Sequence, residues 1–157
     1  MRLLIVAVGE KMPSWINEGW AEYAKRMPRE CSLQLVEIPA AKHGKGGSVQ
    51  KAVIDESKRM LAALPARCHV VAMDERGAQR STLALADSLK NWLASGDDVA
   101  FLIGGADGLA PECKERSHAQ WSLSPLTLPH GLVRVILAEQ LYRAHSVLRG
   151  HPYHRGG

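Results

Sequence analysis

Leu102-Ile103-Gly104-Gly105-Ala106-Asp107-Gly108-Leu109 decides the fold of this chain. The apolar run Val99 to Ile103 breaks abruptly into a turn rich in glycine. That is the form of a buried strand ending in a tight turn, where missing Cβ atoms allow close backbone approach. Downstream, Pro111 opens a short helix to about His118, and Trp121 to Leu123 forms a brief strand. That strand enters the loop Leu123-Ser124-Pro125-Leu126-Thr127-Leu128-Pro129. A helix from His130 to Leu148 follows and is closed by Gly150.

The upstream segments repeat this alternation. Leu3 to Val8 is a continuous apolar run, as in a parallel strand covered on both faces. Pro13 suits a helix start, and Trp15, Ile16, Gly19, Trp20 and Tyr23 recur at helical spacing. Leu33 to Ile38 reads as a second strand, stopped by Pro39. Ser48 is placed to cap a helix whose apolar stripe includes Ala52, Val53 and Met60. Cys68 to Met73 reads as a third strand ending in Asp74-Glu75-Arg76-Gly77. Ser81 or Thr82 opens the next helix, and Gly96 ends it. Strict alternation of strands and helices predicts an α/β fold, with a mainly parallel sheet and helices on both faces.

Bulk properties bound the function. A length of 157 residues suits one domain, and no linker or repeat divides it. Hydrophobic content of 46% and charge of 23% exclude a disordered chain. The Leu3–Val8 run is too short to span a membrane and no cleavage pattern follows it, so a cytoplasmic protein is expected. Cys31, Cys68 and Cys113 are widely spaced, which favours reduced thiols over disulfides or zinc. A net charge of +4 is compatible with a polyanionic partner without requiring one.

Ligands of open α/β sheets bind beyond the carboxyl ends of the strands. Met73-Asp74, Gly104-Gly105 and Leu123 to Leu128 occupy that place. The glycine spacing is not that of a dinucleotide fingerprint and follows the fourth strand rather than the first, which argues against a nicotinamide site. The glycines suit either a ligand or a tight turn alone. The Leu123–Pro129 loop is apolar and stiffened by two prolines, so it suits either a wall for a flat, partly apolar ligand or plain packing on the core. Apolar residues cover most of the last helix, as in a deep core helix or a dimer contact. Glu139 and Arg143 on it are spaced for an ion pair, structural or cleft-lining.

The terminal segment holds Arg149, His151, Tyr153, His154 and Arg155, cations mixed with an aromatic ring. Such a segment suits phosphate contact and base stacking, although termini commonly fray. The loop Lys42-His43-Gly44-Lys45-Gly46-Gly47 is a second phosphate candidate or a solvated turn. No carboxylate or cysteine accompanies the two tail histidines, so no metal is expected.

The whole chain resembles the RlmH family, the 23S rRNA pseudouridine N3-methyltransferases of the SPOUT superfamily. The resemblance rests on segments that occur in order. They are Val6-Ala7-Val8-Gly9 with Lys11-Met12-Pro13, Glu37-Ile38-Pro39-Ala40, and Leu102-Ile103-Gly104-Gly105. Trp121-Ser122-Leu123-Ser124, Leu126-Thr127-Leu128-Pro129-His130 and Val133-Arg134-Val135 follow. Glu139-Gln140-Leu141-Tyr142-Arg143-Ala144 and His151-Pro152-Tyr153-His154-Arg155 complete it. Ala106-Asp107 stands where a Pro-Glu pair is expected, and Gly156-Gly157 runs past the usual end.

The resemblance implies a C-terminal trefoil knot and a homodimer. It implies S-adenosylmethionine held by Met73, Gly104, Leu123, Ser124, Pro125, Leu126, Thr127 and Leu128. The implied substrate is a pseudouridine of 23S rRNA within the assembled ribosome, whose N3 attacks the sulfonium methyl. Arg155, His154, Tyr153, Arg143 and Glu139 are the implied catalytic set. Arg155 and His154 would serve charge and phosphate, and Tyr153 would stack on the base. A non-enzymatic ribosome-binding or RNA-binding factor with a vestigial pocket is the alternative.

Overall fold

The computed structural model describes residues 1–42 and 47–155. Most of the basic loop expected as a phosphate contact, His43 to Gly46, lies outside the described residues, as do Gly156 and Gly157.

Five strands alternate with five helices. In chain order they are β1 (Arg2–Val8), α1 (Ser14–Ala24), β2 (Ser32–Ile38), α2 (Val49–Ala62) and β3 (Cys68–Gln79). α3 (Thr82–Ser95), β4 (Asp98–Ile103), α4 (Pro111–Arg116), β5 (Ala119–Ser122) and α5 (His130–Leu148) follow. Single 3-10 turns occupy Arg29–Cys31 and Pro152–Arg155. The strands form one sheet in the order β2-β1-β4-β3-β5, and every neighbouring pair is parallel.

Side-chain alternation along the strands builds two cores. On one face, Leu3, Ile5, Phe101 and Val71 pack against Leu89 and Trp92 of α3 and Leu137 and Leu141 of α5. On the other, Leu4, Val6, Leu102 and Val70 pack against Met60 of α2 and Cys113 of α4. α5 packs against both α1 and α3, and Leu137, Ala138, Leu141 and Ala144 are fully covered. Leu132, Val133, Val135 and Ile136 near its start stay half-buried. The helix caps follow the sequence signals: Ser48 accepts from the Lys51 amide and Ser81 from the Ala84 amide.

The third strand differs from expectation. It does not stop at Met73 but resumes through Gln79, with a register shift between Met73 and Ala78. Asp74 to Gly77 form the bulge between the two paired stretches. Gly77 makes the return possible: a Cβ there would lie 2.6 Å from the Gln120 carbonyl carbon. The sequence suggested a strand end because the bulge residues are polar, which is also how a turn reads.

Arg134, a polar exception on an apolar helix, is fully buried. It donates to Glu37 at 2.8 Å, to the Gly9 carbonyl at 2.7 Å and to the Val8 carbonyl at 3.3 Å. This cation ties the ends of β1 and β2 to α5.

Candidate functional site

In a parallel sheet all strands deliver their carboxyl ends to one edge, and the register decides which loops meet there. Met73 pairs with Ile103 of β4 on one side and Trp121 of β5 on the other. The segments following these three residues therefore converge. They enclose an open cleft of about 630 Å³, within the range that holds a cofactor-sized ligand.

Met73, Gly104, Leu123, Ser124, Leu126, Thr127 and Leu128 all line the cleft, as expected. Pro125 belongs to the same loop but is exposed and does not line it. The cleft also takes Asp74, which the sequence placed at a strand end facing the ligand, and Glu75, Arg76, Asp107, His130 and Val133, none of which the sequence singled out as ligand contacts. Their signal was position alone, since each adjoins a strand end or opens the last helix.

Short-range hydrogen bonds shape each wall. Gly104 sits so close to the returning chain that a Cβ would lie 2.6 Å from the Gly108 carbonyl. The Gly108 amide closes this turn on the Gly105 carbonyl at 3.1 Å, and the Ala110 amide donates to Ser57 at 3.1 Å. In the third wall, Ser122 Oγ donates to the Ser124 carbonyl at 2.9 Å, and the Leu126 amide donates to Ser124 Oγ at 2.9 Å. Thr127 Oγ1 donates to the Glu75 carboxylate at 3.4 Å, linking the loop to the β3 bulge. Asp74 pairs with Lys114 at 2.7 Å. That hydrogen bond, with one from the Arg76 amide, holds the Asp74 carboxyl below the usual range. Among the described residues, the Thr127 and Leu128 amides have no hydrogen-bond partner and no side chain caps α5.

Three of the five expected catalytic residues, Glu139, Arg143 and Tyr153, form a separate cluster, with His154 and Arg155 following in the chain. Arg143 pairs with Glu139 at 2.6 Å, and the Tyr153 hydroxyl donates to the same carboxylate at 3.1 Å. The Tyr153 ring meets Tyr142 edge-on at 4.7 Å, and the Arg143 guanidinium lies 4.9 Å from its centroid. His154 is half-buried with an unpartnered Nδ1, and Arg155 is exposed. None of the five lines the cleft of its own chain. Helix α5 carries both regions, with His130 at the cleft and Arg143 in the cluster, about 20 Å apart at helical rise. The ring expected to stack on a base is therefore packed within its own chain.

The model of the predicted SPOUT methyltransferase family matches residues 1–154. The chain belongs to the SPOUT methyltransferase family. It is 56% identical over 155 residues to the ribosomal RNA large subunit methyltransferase H of Thioalkalivibrio sulfidiphilus (strain HL-EbGR7), covering 99% of each chain. It is 54% identical to the protein of that name from Laribacter hongkongensis (strain HLHK9), again covering 99% of each. The fold is shared with a putative methylase family protein from Neisseria gonorrhoeae, at a TM-score of 0.58 and 15% identity. That match covers 89% of this chain and 81% of the other. A probable methylase family protein from Haemophilus influenzae Rd KW20 matches at 0.53 and 16%, covering 94% of this chain and 66% of the other.

A SPOUT methyltransferase implies S-adenosylmethionine as methyl donor, and the cleft fits that molecule. Leu123, Leu128, Ile103 and Val133 offer apolar surface for adenine and a thioether chain. The unpartnered amides of Thr127 and Leu128 offer donors, and Glu75 and Asp107 offer negative charge to a cationic ligand. Among the described residues, no group of three or more His, Cys, Asp or Glu is placed to hold a metal ion. Among them too, no helix is long and apolar enough to cross a membrane.

Proposed function

We propose that this SPOUT methyltransferase methylates N3 of a pseudouridine in 23S rRNA on the assembled ribosome, in the cytoplasm. It acts as a homodimer, each chain a single domain over residues 1–157 with a C-terminal trefoil knot. One observation carries the reading. Relatives named ribosomal RNA large subunit methyltransferase H match end to end, on a chain whose cleft joins Met73, Gly104 and the Leu123–Leu128 loop.

When bound, S-adenosylmethionine supplies a methyl already activated by its sulfonium. The chain's task is to align the reactants and exclude water. Met73, Gly104 and the Leu123–Leu128 loop hold the donor, with Pro125 stiffening the loop rather than touching the ligand. Bound there, the donor would supply its methyl group to N3, and the N3 proton would pass to a base or to solvent. His154 takes the charge and phosphate side of the site; its Nδ1 is buried with no hydrogen-bond partner among the described residues. Arg155 is exposed and offers charge to phosphate or to the developing negative charge on the ring. The tail and the cleft lie apart within one chain, so the tail serves the cleft of a second copy.

Labelled methyl transfer to intact ribosomes tests the reaction, with ribosomes carrying uridine at the target as control. Truncation after Gly150 abolishes transfer while calorimetric cofactor binding persists. Mixing truncated chains with chains carrying Gly104→Trp restores transfer, because one cleft in each mixed dimer then receives an intact tail. Transfer by the truncated chain alone sinks the role given to the tail, and failure of the mixture sinks its action in trans.

A further inference from the structure

The tail carries a 3-10 turn of only four residues, Pro152–Arg155. A segment this short does not hold its shape unaided. It is tied down at Tyr153, and the ties reach beyond α5 to α1.

Arg26, two residues past the end of α1, lies 5.2 Å from the ring centroid of Tyr23, 5.5 Å from that of Tyr142 and 5.9 Å from that of Tyr153. Glu22 holds the guanidinium in place at 2.6 Å. One cation thus faces three aromatic rings, Tyr23 just before it in the chain and Tyr142 and Tyr153 from the far end. Tyr23 and Tyr142 approach at 6.4 Å, and Tyr142 and Tyr153 at 4.7 Å. Arg143 and Glu139 engage Tyr153 as well. Burial and hydrogen bonds to Tyr23 and Glu139 push the Tyr153 phenol well above its ordinary value, so it stays a neutral donor at all working pH.

We propose that Tyr23 and Arg26 are positioning residues that lock Tyr153, so that the next two residues, His154 and Arg155, leave the cluster with fixed geometry. Neither touches the cleft. Their cation–aromatic contacts replace the ordering that a flexible tail would otherwise have to undergo on meeting substrate, at an entropic cost. Pre-organisation matters because small displacements of a reacting group cost about two orders of magnitude in rate. The inference rests on the tail's part in methyl transfer proposed above.

The test uses the full-length chain with Arg26→Met and Tyr23→Phe, singly and together. Arg26→Met keeps the stem and removes the cation, and Tyr23→Phe keeps the ring. The double variant loses roughly ten-fold or more in kcat on ribosomes. Its calorimetric affinity for S-adenosylmethionine stays within about two-fold. Amide hydrogen exchange at residues 153–155 accelerates in the same variant. Arg26→Lys, which keeps a cation over the rings, recovers part of the rate, and Arg29→Met, at an exposed arginine in the next turn, changes nothing. A double variant with unchanged kcat and unchanged tail exchange overturns the inference. Truncation after Gly150 separates the two ideas. Transfer that survives truncation sinks the tail's role and this inference together. Transfer lost on truncation but unchanged in the double variant sinks this inference alone.

Discussion

Arg134 and Glu37, 97 positions apart in the chain, meet at 2.8 Å, with the arginine side chain wholly buried. The same guanidinium donates to the Val8 and Gly9 carbonyls, so one side chain gathers β1, β2 and α5. Helix α5 also supplies Val133 and His130 to the cleft, which makes this anchor part of what fixes the cofactor wall.

Replacing Arg134 with Met leaves the Val8 and Gly9 carbonyls without their donor and the solvent-exposed Glu37 carboxylate without its partner. The expected loss is about 1–3 kcal/mol of unfolding free energy, read by urea titration. The pair Arg134→Met with Glu37→Gln loses less than the sum of the single changes, because each single change already removes the one ion pair they share. An additive double variant would show that the two residues do not act together.

Gly104 and Gly108 separate two reasons for a glycine. At Gly104 an added Cβ strikes the Gly108 carbonyl at 2.6 Å, so Gly104→Ala must open the turn. Calorimetry with S-adenosylmethionine is expected to show affinity down by more than about ten-fold, and stability down by about 1–3 kcal/mol. At Gly108 nothing lies within 4 Å, but φ is +81°. Gly108→Ala costs only the left-handed backbone, about 1–2 kcal/mol, with a smaller effect on binding.

Acid sensitivity below neutrality is expected from His69. Burial, together with His118 stacked on it at 4.5 Å, lowers its pKa from the ordinary 6.5. The unfolded chain therefore takes up the proton first as pH falls. The stabilisation is complete above about pH 6.5 and is lost on descending through that value toward the folded pKa. His145, lowered by burial and by Arg149, acts in the same direction. Unfolding free energies measured between about pH 7.5 and pH 5.5 should fall, with a shallower slope in His69→Gln. An unchanged slope in that variant would remove His69 from the account.

Leu126 is 74% exposed at the lip of the cleft. A residue this exposed contributes little to folding, so Leu126→Ser keeps unfolding free energy within about 0.5 kcal/mol. If the bound cofactor covers it, affinity drops by about 1 kcal/mol, roughly five-fold. Equal affinity in the two proteins would place the ligand away from this lip.

Much of this architecture was legible because its signals are local. Ser48 and Ser81 read as helix caps since a cap is a hydroxyl within three residues of the amide it serves. The Gly104 turn and the Leu123–Leu128 loop stood out as strand-end loops of unusual composition, and both line the cleft. Pro125 was the exception, because sequence cannot tell which way one residue of a loop faces.

The β3 bulge was not legible. Asp74 to Gly77 spell a turn, and only pairing with β5 on both sides of them reveals a continuing strand. Arg134 looked like a polar exception on an apolar helix, because its burial depends on a carboxylate 97 residues away.

The sequence by itself determined the alternating parallel α/β plan, the positions of the strand-end loops, and the family to which the chain belongs. Periodicity, caps and motif order are properties of short stretches. Tertiary structure alone decided that Met73, Ile103 and Trp121 stand side by side. It alone decided that Tyr153 is gripped by Arg26, just past α1, and by α5, and that the tail cluster and the cleft lie at different places along one helix. Those relations come from register and helix packing, which bring together residues too far apart for any local pattern to record.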